Sequence, residues 1–432
     1  MFARPIRIPY PWLVVAMLWA IACFNYADRQ AVFSVFPLLE KEFHLSPLQL
    51  GLLGSSFAWA YGLSGPIAGM IVDRIERRTA VLVGLQLWSF LCAATAGAAT
   101  FPQLLAFRAA DGLGETIYFP GSMSLISDYH GTQTRSRAMG VHQTSVYIGT
   151  IAGGYFAGKI GQVYGWRWSF VVFGGLGMLL GLVLFKSLKE PARGALEGGT
   201  PLAKPGLGAF FKVLIRTPSA MLLMLAFLCS NFVAVVLLTW MPKYIHDAFH
   251  FDLAMSGLTA TLYVQLASLV GALAGGWLAD SWRKRTPRGR IAVQLLGVLG
   301  GAPFVLLCGS TQSVTWLIVA LTAWGLFKGL YDANIWASLF DVVAPEFRGT
   351  AVGTMNALGW LAGGGSAPIA IGFIATKTGL GAAIGLASAV YLAAAFLLTA
   401  AMLTLKRSPG GASFSLRGPS APPSPSAARS AQ

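Results

Sequence analysis

Arg108, Asp111 and Glu115 stand at i, i+3 and i+7. On a helix they would share one face, with Arg108 and Glu115 about 10.5 Å apart along the axis. Asp28 and Arg29 are neighbours in the chain and would point about 100° apart, so each needs a partner elsewhere. The economical pairing brings Asp28 near Arg108 or Glu115 and directs Arg29 into a cavity. Lys328 and Asp332 lie at i and i+4, with Tyr331 and Asn334 nearby. That pair is either a helix-internal ion pair or part of a binding site.

A carboxylate taken out of water favours its neutral form, and an approaching arginine or water favours its ionised form. Such a group can load and release a proton, and Asp28 and Glu115, with Arg108 and Asp111 beside them, are the candidates. Asp111 is either a second proton site or a like charge beside Glu115. Arg29 is the candidate for a substrate carboxylate, because a guanidinium offers a planar two-pronged donor that stays charged. Lys328 lies 213 residues after Glu115, at the matching place of an internal repeat described below, which suggests an anion site bounded by Arg29 and Lys328.

These charges sit inside apolar segments. Of the 432 residues, 55% are hydrophobic and only 11% charged, with mean hydropathy +0.65. Soluble domains carry about 25% charged residues, so an ordinary soluble protein is excluded. Twelve segments suit a membrane span of about 20 apolar residues. They are 12–34, 47–72, 79–99, 102–126, 138–161, 168–187, 218–242, 254–280, 290–309, 314–340, 349–375 and 381–404. The second, fourth, eighth and tenth are rich in Gly, Ser and Trp and are expected to fall below a strict hydropathy cut-off. Arg4 and Arg7 before the first span resemble a signal peptide, but the apolar run continues to Phe36, which reads as an uncleaved helix. A charge at a span's centre costs about 2.5–3.5 kcal/mol, so the ionisable residues must face partners or a water-filled cavity.

The net charge of +15 raises the question of a nucleic-acid partner. Of the 31 Lys and Arg, 23 fall on the side of the N-terminus, the even-numbered loops and the tail. Five fall on the opposite side, and Arg29, Arg108 and Lys328 lie within spans. This positive-inside distribution places both termini in the cytoplasm and accounts for the charge without nucleic acid. Cys23, Cys92, Cys229 and Cys308 lie in apolar stretches without CxxC spacing, so neither a disulfide framework nor a metal site is expected.

The polar stretch 189–217 divides the chain into a six-helix bundle at 1–188 and another at 218–405, followed by a Pro/Ser-rich tail, 406–432, expected to be disordered. Ser127-Asp128 and the later Arg137-Ala138-Met139-Gly140 recur as Phe340-Asp341 and Thr350-Ala351-Val352-Gly353, an offset of 213. Gly112 to Glu115 match Gly325 to Lys328 at the same offset. Gly69-x3-Asp73-Arg74 matches Gly276-x3-Asp280-Ser281 at 207. Duplication of a six-helix unit explains both.

Gly69-Met-Ile-Val-Asp73-Arg74-Ile-Glu-Arg77-Arg78 closely resembles the loop signature of the major facilitator superfamily. Gly69 would permit close helix approach, Asp73 would face a helix N-terminus, and Arg74, Arg77 and Arg78 would bridge to acids across the cytoplasmic face in one access state. Asn25-Tyr26-Ala27-Asp28-Arg29, Arg108-x6-Glu115-x3-Phe119-Pro120, Gly165-Trp166-Arg167-Trp168-Ser169-Phe170, Trp240-Met241-Pro242-x-Tyr244 and Phe347-Arg348-Gly349-Thr350 to Asn356 resemble the anion:cation symporter family. Spinster-type lipid transporters share the Asp-Arg and Arg-x6-Glu motifs. The resemblance implies an all-α integral membrane protein with 12 transmembrane helices in two pseudo-symmetric six-helix bundles. It also implies that Tyr26 and Asn356 contact substrate and that the first and fourth spans lie together.

His142 and Gln143 in the fifth span, and Gln265 in the eighth, are either interhelical partners or substrate contacts. No P-loop, HExxH or GxSxG motif occurs, so no enzyme chemistry and no cofactor are expected. The expected function is proton-coupled transport of a small organic anion, a sugar acid or another carboxylate, by a monomer in the plasma membrane, or the inner membrane of a bacterium. The alternative is movement of a lysolipid or other amphipathic substrate through an apolar cavity opening sideways. A non-transporting sensor would have no use for Asp28, Arg29 and Glu115 together.

Overall fold

The computed structural model describes residues 9–131, 133–191, 207–344 and 347–405. The expected disordered tail lies outside the described residues. In the first half the helices are α1 (Tyr10–Ser34), α2 (Phe36–Phe43), α3 (Pro47–Arg74), α4 (Arg77–Thr95), α5 (Phe101–Glu115), α6 (Tyr118–Tyr129), α7 (Arg135–Tyr164) and α8 (Trp166–Ser187). After α9 (Leu207–Arg216) come α10 (Pro218–Phe249), α11 (Leu253–Arg283), α12 (Gly289–Ser310), α13 (Val314–Asp332), α14 (Ile335–Val342) and α15 (Arg348–Leu358). The π-turn Gly359–Gly364, α16 (Ala367–Thr378), α17 (Leu380–Leu386) and α18 (Ser388–Thr404) complete the chain. Taking α5 with α6, α13 with α14, α15 with α16 and α17 with α18 as broken spans gives twelve crossings in two sets of six.

Among the described residues nine helices are long and apolar enough to cross a bilayer. The second, fourth and fifth spans are not among them, whereas the eighth and tenth are, which corrects the expectation above. The fifth starts with two arginines and is rich in Gly, Thr and Tyr, while Leu, Val and Ala in the eighth outweigh its glycines. The fourth is interrupted at Thr116-Ile117. Pro120 has no N–H to give the Thr116 carbonyl, and its ring crowds that carbonyl. Thr116 Oγ1 instead donates to the Gly112 carbonyl at 2.7 Å. The linker holds more order than its polarity suggested: α9 buries Phe210 against Phe347, ring centroids 6.1 Å apart.

The duplication is visible in side-chain bonds. Arg77 binds Asp128, and Arg290 binds Asp341 at 2.9 Å; both members of the second pair lie 213 residues after the first. Arg135 Nη2 donates to the Ser127 carbonyl at 3.1 Å, and Arg348 Nη2 to the Phe340 carbonyl at 3.0 Å, again at 213. The turns before α8 and α17 both use glycine at positive φ, Gly165 at 91° and Gly379 at 84°, which side-chain-bearing residues rarely adopt. Just past Gly165, Trp166 Nε1 donates to Glu42 at 2.6 Å and Arg167 pairs with it at 2.7 Å. Burial works against ionisation of Glu42, but these two donors and the charge of Arg167 hold its carboxyl below the usual range.

The halves touch at the end where α1 and α10 finish. There α7 and α11 cross so closely that a Cβ on Gly257 would stand 2.0 Å from the Gly154 carbonyl oxygen. Gln30 Nε2 donates to the Leu238 carbonyl at 3.0 Å, Ser55 Oγ accepts from Ile369 N at 3.2 Å, and Trp59 Nε1 donates to the Leu361 carbonyl at 3.1 Å. Lys243, 5% exposed, binds Glu40 on α2 and Asp247 at 2.7 Å. Toward the other end of the same helices, a Cβ on Gly69, Gly140, Gly276 or Gly353 would meet nothing within 4 Å. The halves therefore diverge toward the end that carries the basic loops.

A side chain at Gly257 is incompatible with this crossing, since overpacking costs about 1–3 kcal/mol. In a background lacking the native cysteines, Ser34→Cys, buried beside Gly257, should resist a membrane-impermeant maleimide. Adding Gly257→Leu should raise its labelling rate by about tenfold, the equivalent of about 1.4 kcal/mol; equal protection in both proteins would count against the crossing.

Candidate functional site

Between α1 and α5 lies a sealed group of five ionisable side chains. Asp28, Arg108, Asp111 and Glu115 are all at most 4% exposed. Arg29 Nε donates to Glu115 Oε2, and Arg108 Nη1 to Asp111 Oδ2 at 2.8 Å. One carboxylate oxygen from each of Asp28, Asp111 and Glu115 lies within 4.8 Å of the other two. The 100° turn between Asp28 and Arg29 lets adjacent residues of α1 reach successive levels of the α5 face. Gly112 makes the approach of α3 to α5 possible, for a Cβ there would lie 2.5 Å from the Phe57 carbonyl oxygen.

The anticipated meeting of Asp28 with the fourth-span charges is present. Arg29, however, does not point freely into a cavity: it is ion-paired to Glu115. A guanidinium among apolar helices is strongly disfavoured until paired, and Glu115 is the acid within reach. The remaining surface of Arg29 is covered by rings, with its guanidinium carbon 4.6 Å from the centroid of Tyr61, 4.9 Å from Tyr26, 5.1 Å from Phe57 and 5.7 Å from Trp360. Its Nη1 is buried and without a hydrogen-bond partner among the described residues. Asp28 Oδ1, Asp111 Oδ1 and Glu115 Oε1 are in the same condition.

A small, largely enclosed pocket of about 10 Å³ lies beside the Arg29–Glu115 pair. Its wall includes Asn25, Tyr26, Tyr61, Tyr118, His142 and Gln143. Lys328, Asp332 and Asn356 are not in this wall. Lys328 Nζ donates to Asp332, the helix-internal pairing weighed from the sequence, and Tyr147 of the first half interacts electrostatically with both. The pair thus forms a second polar cluster in the other half, and Arg29 and Lys328 do not bound one pocket here. Asn356 is half-buried. The residue of the eleventh span that reaches Arg29 is Trp360, one turn further on.

Trp360 and Tyr61, tilted at 57° with centroids 5.2 Å apart, were not singled out from the sequence. Trp360 stands at i+4 from Asn356, and that spacing is the signal that could have marked it. Gln265 is 4% exposed on α11 and is likewise outside the pocket wall.

The loop residues behave differently from the bridge expected of them. Arg77 donates to Asp128, to Glu190 at 2.9 Å, to Ser124 at 3.1 Å and to the Pro191 carbonyl at 3.1 Å. Arg78 donates through its backbone N–H to Glu190 at 2.8 Å and through Nη2 to the Phe185 carbonyl. These partners belong to the first half, except Glu190 and Pro191, which begin the linker, and none belongs to the second half. Arg74 ends α3 and is exposed, Gly69 is not closely approached, and the side chain of Asp73 lies outside the described residues.

The sequence profile of the major facilitator superfamily matches residues 18–363. A rice (Oryza sativa subsp. japonica) protein named "Probable anion transporter 4, chloroplastic" is 27% identical over 372 residues, 83% of this chain. The match spans only 63% of the rice protein's length. Rat (Rattus norvegicus) "Protein spinster homolog 1" is 31% identical over 393 residues, 84% of this chain and 73% of its own. The crystal structure of a bacterial homolog of the human lysosomal transporter Spinster, inward-facing and unoccupied, superposes with a TM-score of 0.82 at 23% identity. It covers 93% of this chain and 99% of that one. With most of the chain matched and the twelve-helix, two-bundle architecture shared, the chain belongs to the major facilitator superfamily.

Proposed function

We propose that the chain is a proton-coupled transporter that moves a small organic anion, a sugar acid or another carboxylate, by alternating access. The observation that carries this reading is the charge balance of the sealed cluster: three carboxylates share two guanidiniums, Arg29 and Arg108. Fully ionised, the group holds one uncompensated negative charge away from water, at a cost of several kcal/mol. One bound proton removes it. A metal cation is a poorer fit, since Arg29 and Arg108 already occupy oxygens of Glu115 and Asp111.

The same geometry supplies the coupling. Glu115 is the acid that keeps Arg29 from an incoming carboxylate. When Glu115 takes a proton, Arg29 loses its counter-ion and can bind the substrate carboxylate in its place. The bound anion brings the cluster back to one net negative charge, and a second proton, on Asp28 or Asp111, makes the loaded site neutral and removes the penalty for enclosing it as the halves rock. When the site faces low proton concentration, Glu115 ionises, reclaims Arg29 and expels the anion. Asp28 and Asp111 share Arg108 and make the cluster's charge depend on more than one carboxyl, so its protons are held jointly.

In this reading the chain works as a monomer in the plasma membrane. Its basic loops and both termini face the cytoplasm, in keeping with the positive-inside distribution, and the divergent end of the halves opens inward. Arg77 and Arg290 serve as mirror-related fastenings that hold each half rigid while the two move. Lys328 and Asp332 form a reserve ion pair in the second half that Tyr147 can approach.

One observation favours the second reading, a lysolipid or other amphipathic substrate. An apolar groove lined by Ile148, Ile151, Ala152, Tyr155, Phe156 and Leu258 lies along the seam of α7 and α11. An acyl chain would suit it, whereas a sugar acid has no use for it.

Proteoliposomes given labelled gluconate, glucarate and simple carboxylates should take up at least one of them faster when an inward proton gradient is imposed. Glu115→Gln should lose that gradient dependence while exchanging labelled for unlabelled anion across the membrane. Full gradient-driven uptake by this variant would overturn the coupling. Arg29→Ala should weaken anion binding by about 10- to 100-fold, the loss of a charge-assisted hydrogen bond or two. Uptake of lysolipid but no anion by the parent protein would establish the second reading.

A further inference from the structure

The pocket beside Arg29 contains an acceptor that the proton cycle does not use. His142 on α7 is 3% exposed, and its Nε2 lies 2.8 Å from the Tyr118 hydroxyl. That hydroxyl has one hydrogen, and the Leu18 carbonyl 2.6 Å away takes it, because two oxygens at that separation repel unless a hydrogen lies between them. Toward His142 the phenol oxygen can only accept. Nε2 therefore carries a hydrogen, and the neutral imidazole has its bare lone pair at Nδ1. The two rings lie at 24° with centroids 6.0 Å apart, and the imidazole cannot turn over without giving up the bond to Tyr118.

Nδ1 accepts no hydrogen bond from the described residues. His142 lines that pocket together with Asn25, Arg29 and Glu115. Of the unpaired groups there, Asn25 Nδ2 and Arg29 Nη1 are donors suited to an anion's oxygens. Glu115 Oε1 belongs to the proton cycle. The Gln143 amide and the Tyr26 and Tyr61 hydroxyls also line the pocket but can donate as well as accept; Nδ1 can only accept, and an unsubstituted carboxylate has no hydrogen to offer it.

We propose that His142 Nδ1 accepts the hydrogen of a substrate hydroxyl while Arg29 holds the carboxylate, so that His142 selects hydroxy acids over plain carboxylates. The selection rests on the anion-transport reading above. A site built to hydrogen-bond a hydroxyl rejects the analogue lacking it, because the buried group is then left unsatisfied. Tyr118 acts as a positioning residue, since its bond to Leu18 is what sets the tautomer.

The test compares binding of gluconate with that of hexanoate, the six-carbon acid without hydroxyls, to the purified full-length protein. The parent protein should prefer gluconate, and Arg29→Ala should weaken binding of both acids by about 10- to 100-fold. His142→Gln keeps an amide N–H near the position of Nε2 but has no acceptor at Nδ1, so its gluconate-to-hexanoate ratio should fall by about tenfold, the worth of one hydrogen bond. His142→Asn, whose amide oxygen falls near the place of Nδ1, should recover part of the ratio. An unchanged ratio in His142→Gln, with Arg29→Ala still weakening binding of both acids, overturns the role of His142 and leaves the anion reading intact. Failure of the parent protein to bind either acid overturns both. Should His142→Gln not fold, Tyr118→Phe decides: it leaves the imidazole but frees the tautomer, and a ratio that stays at the parent value overturns the proposal.

Discussion

The structure is organised around the cost of ionised groups away from water. Asp28, Arg29, Arg108, Asp111 and Glu115 could not lie in a membrane singly. They are tolerable because α1, α3 and α5 bring them within reach of one another. Gly112 lets α3 and α5 approach at backbone distance, and the aromatic rings of Tyr26, Phe57, Tyr61 and Trp360 cover the face of Arg29 that no acid covers. An assembly held this way has few alternatives, because moving one charge strands another. The same scarcity makes the cluster responsive, since one proton alters the partner available to every member.

The duplication adds a second constraint. Both halves fasten the start of the third or ninth span to the end of the fourth or tenth with an arginine and an aspartate, Arg77 with Asp128 and Arg290 with Asp341. Both also bond an arginine in the following loop, Arg135 or Arg348, to a carbonyl eight residues upstream. These bonds lie within the halves, where rigid-body motion requires firmness. Contacts between the halves are mostly of another kind: glycine against backbone carbonyl at Gly154 and Gly257, a few single hydrogen bonds, the Trp360 ring over Arg29, and one ion pair, Lys243 with Glu40.

Much of this arrangement could be read from the residues. Nine of the twelve spans follow from apolar length and the remaining three from the repeat, which the offset of 213 reveals. The convergence of Asp28 with the fourth-span charges follows from helix geometry together with the penalty for unpaired charge. The fifth span's weak hydropathy was harder to foresee, because the glycines that let α7 pack against α1 and α11 also dilute its apolar character. The pairing of Arg29 with Glu115 in place of an open guanidinium depends on side-chain reach, which spacing alone does not give. Trp360 was missed because nothing about an isolated tryptophan in an apolar run distinguishes a ring over a cation from one facing lipid. The tautomer of His142 depends on Tyr118 and Leu18, residues far away in sequence that carry no motif.

Lys243 illustrates how the closed end can open without a heavy penalty. It binds two acids of different standing: Glu40 on α2, which belongs to the opposite half, and Asp247, one turn along its own helix. In the proposed alternating-access cycle, Glu40 departs toward water as the halves part, while Asp247 travels with the lysine and keeps it company. The clasp therefore unfastens with no bare ammonium left behind. An ion pair spanning only the two halves would have to be broken outright at each turn of the cycle, whereas this lysine merely changes how many acids it serves.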